Sequence, residues 1–355
     1  MDRLEANRNY DCFCGTGIAA DFVCSYLLEK LNLGKPSTAD FKVAIVSDRQ
    51  VSGYYYNTFE NQFILRNIKP KLIVCEACEG GKSLDTVSYL ISEFNDAGLG
   101  KEDWVIALGG GGITDVAGFA CSVYTGQSKL ILVPTTPSAM AESTTATECF
   151  LNSGKNKNTA VAKISPDSVF VDPTFLATVP AKYKSNGYAS VIRLAVLGYP
   201  ELLKDMANPS NLREYLSSVY AARSAIEIKN PWYLTLGSEI AGAIEGYFRF
   251  MNYSDGEALA LSLLSTVPDN AAAALRQVYG KLGLPVKLEG VSGAMIKKAA
   301  LSALELKGRG PYEIVDYDAQ GPDGKGNWVI RRVSLEEAAG IFDRRISVIT
   351  GDAEQ

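Results

Sequence analysis

The chain contains no histidine. Histidine is the commonest metal ligand and the one side chain whose ordinary pKa lies near neutrality, so its absence excludes both an imidazole metal site and an imidazole general base. Any proton transfer must fall to Lys, Tyr, Asp, Glu or Cys. Also lacking is an apolar run of membrane-spanning length, and the polar opening Met1-Asp2-Arg3-Leu4-Glu5 is unlike a secretory signal. A cytoplasmic protein is expected. Long runs of like charge are missing too, and the mild acidity, net −5, argues against nucleic acid or an anionic membrane as partner. No internal repeat or low-complexity segment is visible.

The seven cysteines are an odd number in a chain large enough to build a good core. They read as reduced thiols and not as a disulfide framework. Two close pairs, Cys12-Phe13-Cys14 and Cys75-Glu76-Ala77-Cys78, leave a redox or zinc role open. Zinc patterns need a second pair at matching spacing, and here no histidine can complete a mixed site.

With 355 residues and 47% hydrophobic content, the length suits two domains. Lys42–Asp48, Lys71–Cys75, Val105–Leu108 and Leu130–Val133 are short apolar runs that stop at turn-forming or polar residues, the pattern of buried parallel strands. Between them lie helical stretches such as Ser83 to Phe94, where Leu84, Val87, Leu90 and Ile91 recur at helical spacing behind a capping serine. Alternation of this kind predicts a doubly wound sheet with ligands at the carboxyl ends of its strands. From about Lys182 the pattern becomes helical, with apolar stripes over Leu234–Phe250, Gly256–Thr266, Asn270–Leu282 and Ser292–Leu306. The expected fold class is therefore an α/β N-terminal domain over 1–181 and an all-α C-terminal domain over 182–355. A turn-forming run, Gly321-Pro322-Asp323-Gly324, predicts a late loop.

The strongest local signal is Gly109-Gly110-Gly111-Gly112-Ile113-Thr114-Asp115, which follows a strand and opens a helix. Consecutive glycines let backbone amides approach a pyrophosphate, and a helix N-terminus adds favourable partial charge. A tight strand-to-helix turn without a ligand explains the same run. It is not the usual G-x-G-x-x-G fingerprint.

Ala107 to Phe119, Val133-Pro134-Thr135-Thr136, the run Asp172 to Pro180, and Asp255-Gly256-Glu257-Ala258 resemble, in order and nearly in spacing, the successive blocks of dehydroquinate synthase and the wider sugar-phosphate cyclase family. The resemblance extends from about Lys42 to Lys307. It implies an NAD-binding α/β domain, a helical domain, an active site in the cleft between them, and a homodimer. Glu79 and Lys82 match the pair that holds the adenosine ribose of NAD; Gly110, Gly111, Gly112 and Asp115 match the pyrophosphate and nicotinamide loop; Thr135, Thr136 and Thr178 match further cofactor contacts. Asp48 falls at a strand end that would meet the adenosine.

The metal positions have changed. The family's zinc is held by one glutamate and two histidines, and the matching residues here are Ser190, Ser238 and Asp255. Neutral hydroxyls are poor substitutes for imidazole or carboxylate, so no zinc is expected. An oxygen-ligand site rebuilt from Asp255, Glu239 or Glu257 is the alternative. The second histidine of the family's paired motif, a proton-transfer group, has become Gly242.

The substrate positions are mixed. Asn152, Lys157 and Asn158 match an N-x-x-x-x-K-N stretch, Lys307 matches a late lysine, and Arg193 keeps the charge of a helix lysine. A family lysine has become Glu148, an arginine Pro231, and an aspartate Glu142. These exchanges favour a substrate with less negative charge than a phosphorylated sugar acid. Without zinc, deprotonating an alcohol beside NAD would need a base such as Lys157, Tyr188 or Glu142. The expected catalytic or anchoring set is Lys157, Asn158, Arg193, Lys307 and Glu142. Three readings follow: a metal-independent NAD enzyme acting on a sugar or cyclitol, a catalytically silent pseudoenzyme serving as subunit or regulator, and a redox or binding protein built on Cys75 and Cys78.

Overall fold

The computed structural model describes residues 1–4, 10–30, 41–76, 78–142, 145, 147–204, 206, 211–320 and 326–351. The Gly321–Gly324 turn, Ala77 and Ala146 lie outside them. The chain divides into two compact units: Met1–Ser153 with Asn158–Pro180 and Leu212–Tyr220, and Gly154–Lys157 with Ala181–Asn211 and Ala221–Gln355.

In the first unit the elements run β1 (Asp2–Leu4), β2 (Asp11–Cys14), α1 (Ala19–Lys30), β3 (Val43–Ser47), α2 (Arg49–Ile64), β4 (Lys71–Val74), α3 (Leu84–Ala97), β5 (Trp104–Gly109), α4 (Gly111–Val123), β6 (Lys129–Pro134), α5 (Pro137–Glu142), β7 (Glu148–Ser153), β8 (Asn156–Lys163) and β9 (Ser168–Val171). Seven strands form one sheet in the order β1-β2-β9-β6-β5-β3-β4. All neighbours are parallel except β1 and β2. β3 and β5 are buried at every position, as near-continuous apolar sequence requires of central parallel strands. Ser83 caps α3 by accepting from the Thr86 amide at 3.2 Å, and Val87, Leu90 and Phe94 form its buried stripe. Leu84, at the first helical position, is 63% exposed and Ile91 only half-buried, so both stand outside the buried stripe that their spacing predicted.

The chain adds β4 to one side of β3 and then crosses to add β5 on the other. That reversal makes a topological switch point at the carboxyl ends of β3 and β5, the usual crevice for a ligand in an open α/β sheet. The two ends are pinned together where the Ser47 hydroxyl donates to the Leu108 carbonyl at 2.7 Å. Asp48 follows one strand and the glycine run follows the other.

The second unit takes α6 (Ala181–Val196), part of α7 (Leu212–Lys229), α8 (Ser238–Tyr247), α9 (Asp255–Thr266), α10 (Asp269–Leu282), α11 (Gly293–Leu306), β10 (Tyr312–Asp318), β11 (Asn327–Val333) and α12 (Leu335–Thr350). α9 is its central helix, packed by α6, α8 and α12. Nearly all of it is buried, as an apolar surface all round the helix demands. A capping box starts it, with the Ser254 hydroxyl on the Glu257 amide and the Glu257 carboxylate on the Ser254 amide at 2.8 Å.

Two departures from the sequence expectation have physical causes. The stripe over Leu234–Phe250 is not one helix: Pro231 opens a short 3-10 turn, Gly237 adopts φ +81°, and α8 begins only at Ser238. The C-terminal part is helical but not wholly so, because β10 and β11 pair as an antiparallel hairpin between α11 and α12. Asp316 in β10 is held by the buried Arg345 of α12 at 2.8 Å and by Arg331 of β11 at 3.0 Å. Among the described residues no helix is long and apolar enough to cross a membrane.

Candidate functional site

In the first unit, β5 ends at Gly109, Gly110 caps α4, and Gly111 is its first residue. Helix geometry leaves the first amides of α4 without intrahelical acceptors, so those of Gly111 and Gly112 point outward at the switch point. The glycines are needed for different reasons. A Cβ on Gly109 would meet Ile113 at 2.6 Å, and one on Gly110 would meet the Thr136 methyl at 2.8 Å. Those two are packing requirements. Among the described residues, a Cβ on Gly111 would meet nothing within 4 Å. The space beside the helix N-terminus is open there, and nothing in the fold demands glycine.

The next strand delivers Thr135 and Thr136. The Thr135 amide continues the pairing to the Gly109 carbonyl at 2.9 Å. Its hydroxyl is buried and has no hydrogen-bond partner among the described residues, an uncommon state for a buried polar atom. Thr136 receives the Ala139 amide at 3.4 Å as α5 begins.

Glu79, Lys82 and Asp115 come together in the same unit. The Lys82 ammonium, 7% exposed, lies 2.6 Å from the Asp115 carboxylate and 3.7 Å from that of Glu79. Burial pushes the Asp115 carboxyl above the ordinary carboxylate value, the Lys82 charge opposes, and the carboxylates of Glu79 and Glu142 add to the rise. The turn that carries Glu79 and Lys82 is tight, since a Cβ on Gly81 would lie 2.6 Å from the Glu76 carbonyl. Asn152 of β7 braces it: its side-chain amide donates to the Glu79 carbonyl at 2.8 Å and carboxylate at 3.0 Å, and its backbone amide donates to the Lys82 carbonyl at 2.7 Å. Asn152, read from sequence as a substrate residue, thus has a bracing task in the first unit. Asn158 is exposed at φ +53°, and its amide donates to Asn152 Oδ1 at 2.9 Å.

Two further cofactor candidates have local partners. Asp48 is the N-cap of α2, its Oδ1 accepting the amides of Gln50 and Val51 at 2.8 and 3.0 Å. The Thr178 hydroxyl lies 2.7 Å from that of Tyr55 and donates to the Phe175 carbonyl at 3.1 Å. Glu142 ends α5 half-buried.

In the second unit Lys157 is the centre of the arrangement. Its ammonium donates to both oxygens of Glu245 in α8, at 2.8 and 2.9 Å, and to Asp255 at the start of α9. The Glu245 side chain is 1% exposed and that of Lys157 13%. Tyr188 is half-buried on α6. Arg193, on the same helix, donates from Nη1 to the Leu234 carbonyl at 2.7 Å. Lys307 is exposed at the end of α11. Glu245 was missed in the sequence; its signal is a glutamate inside the apolar run Ala243-Ile244-Glu245-Gly246, where a buried carboxylate needs a cation.

The residues at the metal positions fit zinc poorly. Ser190 is buried with a hydroxyl that has no partner among the described residues, Ser238 is the first residue of α8, and Asp255 already binds an ammonium. Glu257 is committed to its cap. Glu239 is buried, with one carboxylate oxygen that has no partner among the described residues. Among those residues no group of three His, Cys, Asp or Glu side chains is placed to hold an ion.

The two thiols of the Cys75–Cys78 pair differ in environment. Burial, and then the carboxylates of Asp48 and Glu76, push the Cys75 thiol up to about 12, while Cys78 is exposed. Near neutral pH, maleimide labelling followed by peptide mass spectrometry should modify Cys78 at least about tenfold faster than Cys75. Equal rates would return Cys75 to the list of reactive thiols.

Residues 72–186 match the family model of the 3-dehydroquinate synthase N-terminal region. A 3-dehydroquinate synthase of Methylacidiphilum infernorum (isolate V4) is 26% identical over 322 residues, covering 84% of this chain and 85% of the relative. One from Acidithiobacillus ferrooxidans (strain ATCC 53993) is 30% identical over 273 residues, 72% of each chain. In fold, the chain is similar to a crystal structure of 2-deoxy-scyllo-inosose synthase complexed with carbaglucose-6-phosphate, NAD+ and Co2+, with TM-score 0.75, 18% identity, and coverage of 96% of this chain and 98% of that one. The sheet with its glycine turn, the helical C-terminal part and these likenesses together place the chain in the dehydroquinate synthase family of sugar-phosphate cyclases.

Proposed function

We propose that the protein is a homodimeric, cytoplasmic NAD enzyme that acts on a sugar or cyclitol without a divalent metal, with 1–181 as the cofactor domain and 182–355 as the helical domain. One observation carries the cofactor part: the open space at Gly111, beside a helix N-terminus, where an inherited glycine has no packing duty. The orphaned Thr135 hydroxyl supports it. NAD, when bound, supplies a reversible hydride acceptor for a ring hydroxyl. In this reading Gly110 to Gly112 hold the pyrophosphate with backbone amides, Glu79 and Lys82 hold the adenosine ribose, and Asp115, Thr135 and Thr136 orient the nicotinamide end. Asp48 and Thr178 flank the set.

On the substrate side the proposal assigns Lys157 as the fixed positive charge, with Asn158, Arg193 and Lys307 as further anchors. An ammonium already donating to two carboxylates is a poor proton acceptor, so Glu142 or Tyr188 is the better candidate for removing the hydroxyl proton. The charge exchanges at Glu148 and Pro231 favour a second reading, a catalytically silent subunit that keeps its NAD. Native mass spectrometry of the protein as purified tests the first step. The expected spectrum shows one NAD per chain and no divalent metal. A spectrum with stoichiometric zinc or cobalt overturns the metal-independent part. Bound NAD that no sugar or cyclitol reduces selects the silent subunit.

A further inference from the structure

We infer that the Lys157 ammonium is the resident cation of an acidic pocket, that it keeps divalent ions out, and that deleting it creates a divalent-cation site. The inference rests on the metal-independent reading above and names the residue responsible. Three of its contacts are to carboxylate oxygens, two from Glu245 and one from Asp255. The carboxylates are held from two helices that pack on each other, α8 and α9, and Glu245 is buried to 1% exposure. A carboxylate so deeply buried must be paired or neutralised, and in this chain an amine supplies the charge.

The arrangement is built to hold the amine there. Gly246, next to Glu245, allows the Lys155 carbonyl to approach, since a Cβ on it would lie 2.1 Å away. Lys157, the second residue of β8, is thereby seated on α8. At Gly242, one turn earlier, a Cβ would already sit 3.8 Å from Lys157 Cβ. A side chain at Gly246 would displace the Lys155 backbone, and the one at Gly242 would come into ordinary contact with Lys157. Once the long side chain is removed, the two carboxylates, with water completing the set, suit a hard ion such as Mn2+ or Mg2+ better than a soft metal. Both cations cannot occupy the pocket together.

The test uses the whole chain and reads Mn2+ binding by calorimetry, with melting temperature as a second measure. Wild-type protein should show no Mn2+ response. Lys157→Ala should melt about 10 °C lower, recover most of that loss in millimolar Mn2+, and bind one ion. Lys157→Arg keeps the positive charge and should behave like wild type towards the ion. If Lys157→Ala does not fold alone, the double variant Lys157→Ala, Glu245→Gln should fold, because the buried charge that lost its cation is gone, and it should ignore Mn2+.

A folded Lys157→Ala without any Mn2+ response overturns the inference and leaves the metal-independent reading standing. A double variant as unstable as the single one does the same. A wild-type protein that binds the ion elsewhere, with Lys157→Ala responding as expected, overturns the metal-independent reading but not this one. Absence of NAD from the purified protein touches neither result.

Discussion

Gly111→Val should abolish NAD binding while leaving the fold intact. The side chain would project into open space, at a position with no positive φ and, among the described residues, no neighbour within 4 Å of its Cβ, so the folded protein should tolerate it. A ligand phosphate approaching the first amides of α4 would meet the new methyl groups, and close backbone approach is what glycine permits there. The measurement is a thermal melt with and without cofactor. At a concentration one hundred times Kd, a ligand stabilises by about 2.7 kcal/mol, roughly 5–10 °C for a domain of this size. Wild type should show that rise and Gly111→Val none, with the two melting alike in the absence of NAD. Gly110→Ala is the contrasting control. Its methyl would strike Thr136 at 2.8 Å, so it should lower the melting temperature whether or not NAD is present. An undiminished NAD response in Gly111→Val would show that the cofactor, if bound, does not use this turn.

The contrast among the glycines also marks how far the sequence can be read. Four consecutive glycines after an apolar run announce a strand-to-helix turn, and β5 and α4 lie where the run predicts. Which glycine serves packing and which serves a ligand is not legible, because it depends on Ile113 and Thr136 folding back over the turn. Central strands were readable for the same reason that they are buried: β3 and β5 carry little besides apolar residues. β2 and β9 were not, since Asp11–Cys14 and Ser168–Val171 are each only four residues and are defined by pairing with each other across a long stretch of chain.

The same limit applies to side-chain partners. Lys157 stands out in sequence as a charged residue in an inherited block, yet its carboxylate partners lie 88 and 98 positions away. No local spacing connects them. Asp255 could be named from the block it occupies, whereas Glu245 is visible only as a charge within an apolar helical run. Lys82 and Asp115 were both named as cofactor residues, but that they pair at 2.6 Å is information of the fold alone. Asn152 shows the converse. Its place in a block suggested a substrate contact, and the fold adds that its amide holds the turn that carries Glu79.

The largest effect is expected in catalysis: the protein should not convert the phosphorylated sugar acid used by dehydroquinate synthase, whichever divalent metal is supplied. Two losses act on different steps. A metal ion beside a hydroxyl stabilises the charge that develops as the alcohol is oxidised, an effect of several kcal/mol. Here the matching positions carry Ser190, Ser238 and an Asp255 already bound to the Lys157 ammonium. Anchoring of the anionic substrate has changed as well. Glu148 puts an exposed carboxylate at the start of β7 where the family has a lysine, and Pro231 opens a 3-10 turn where it has an arginine. Misplaced or repelled substrate loses the benefit of orientation and of preorganised charge. Each 1.4 kcal/mol is about tenfold in rate, so two losses of several kcal/mol should carry turnover below detection. Phosphate release and product formation, followed with no metal and with zinc, cobalt or manganese, give the test. Clear metal-dependent turnover would overturn the metal-independent reading, and the response of Lys157→Ala to Mn2+ would then decide separately whether the lysine pocket is where the ion binds.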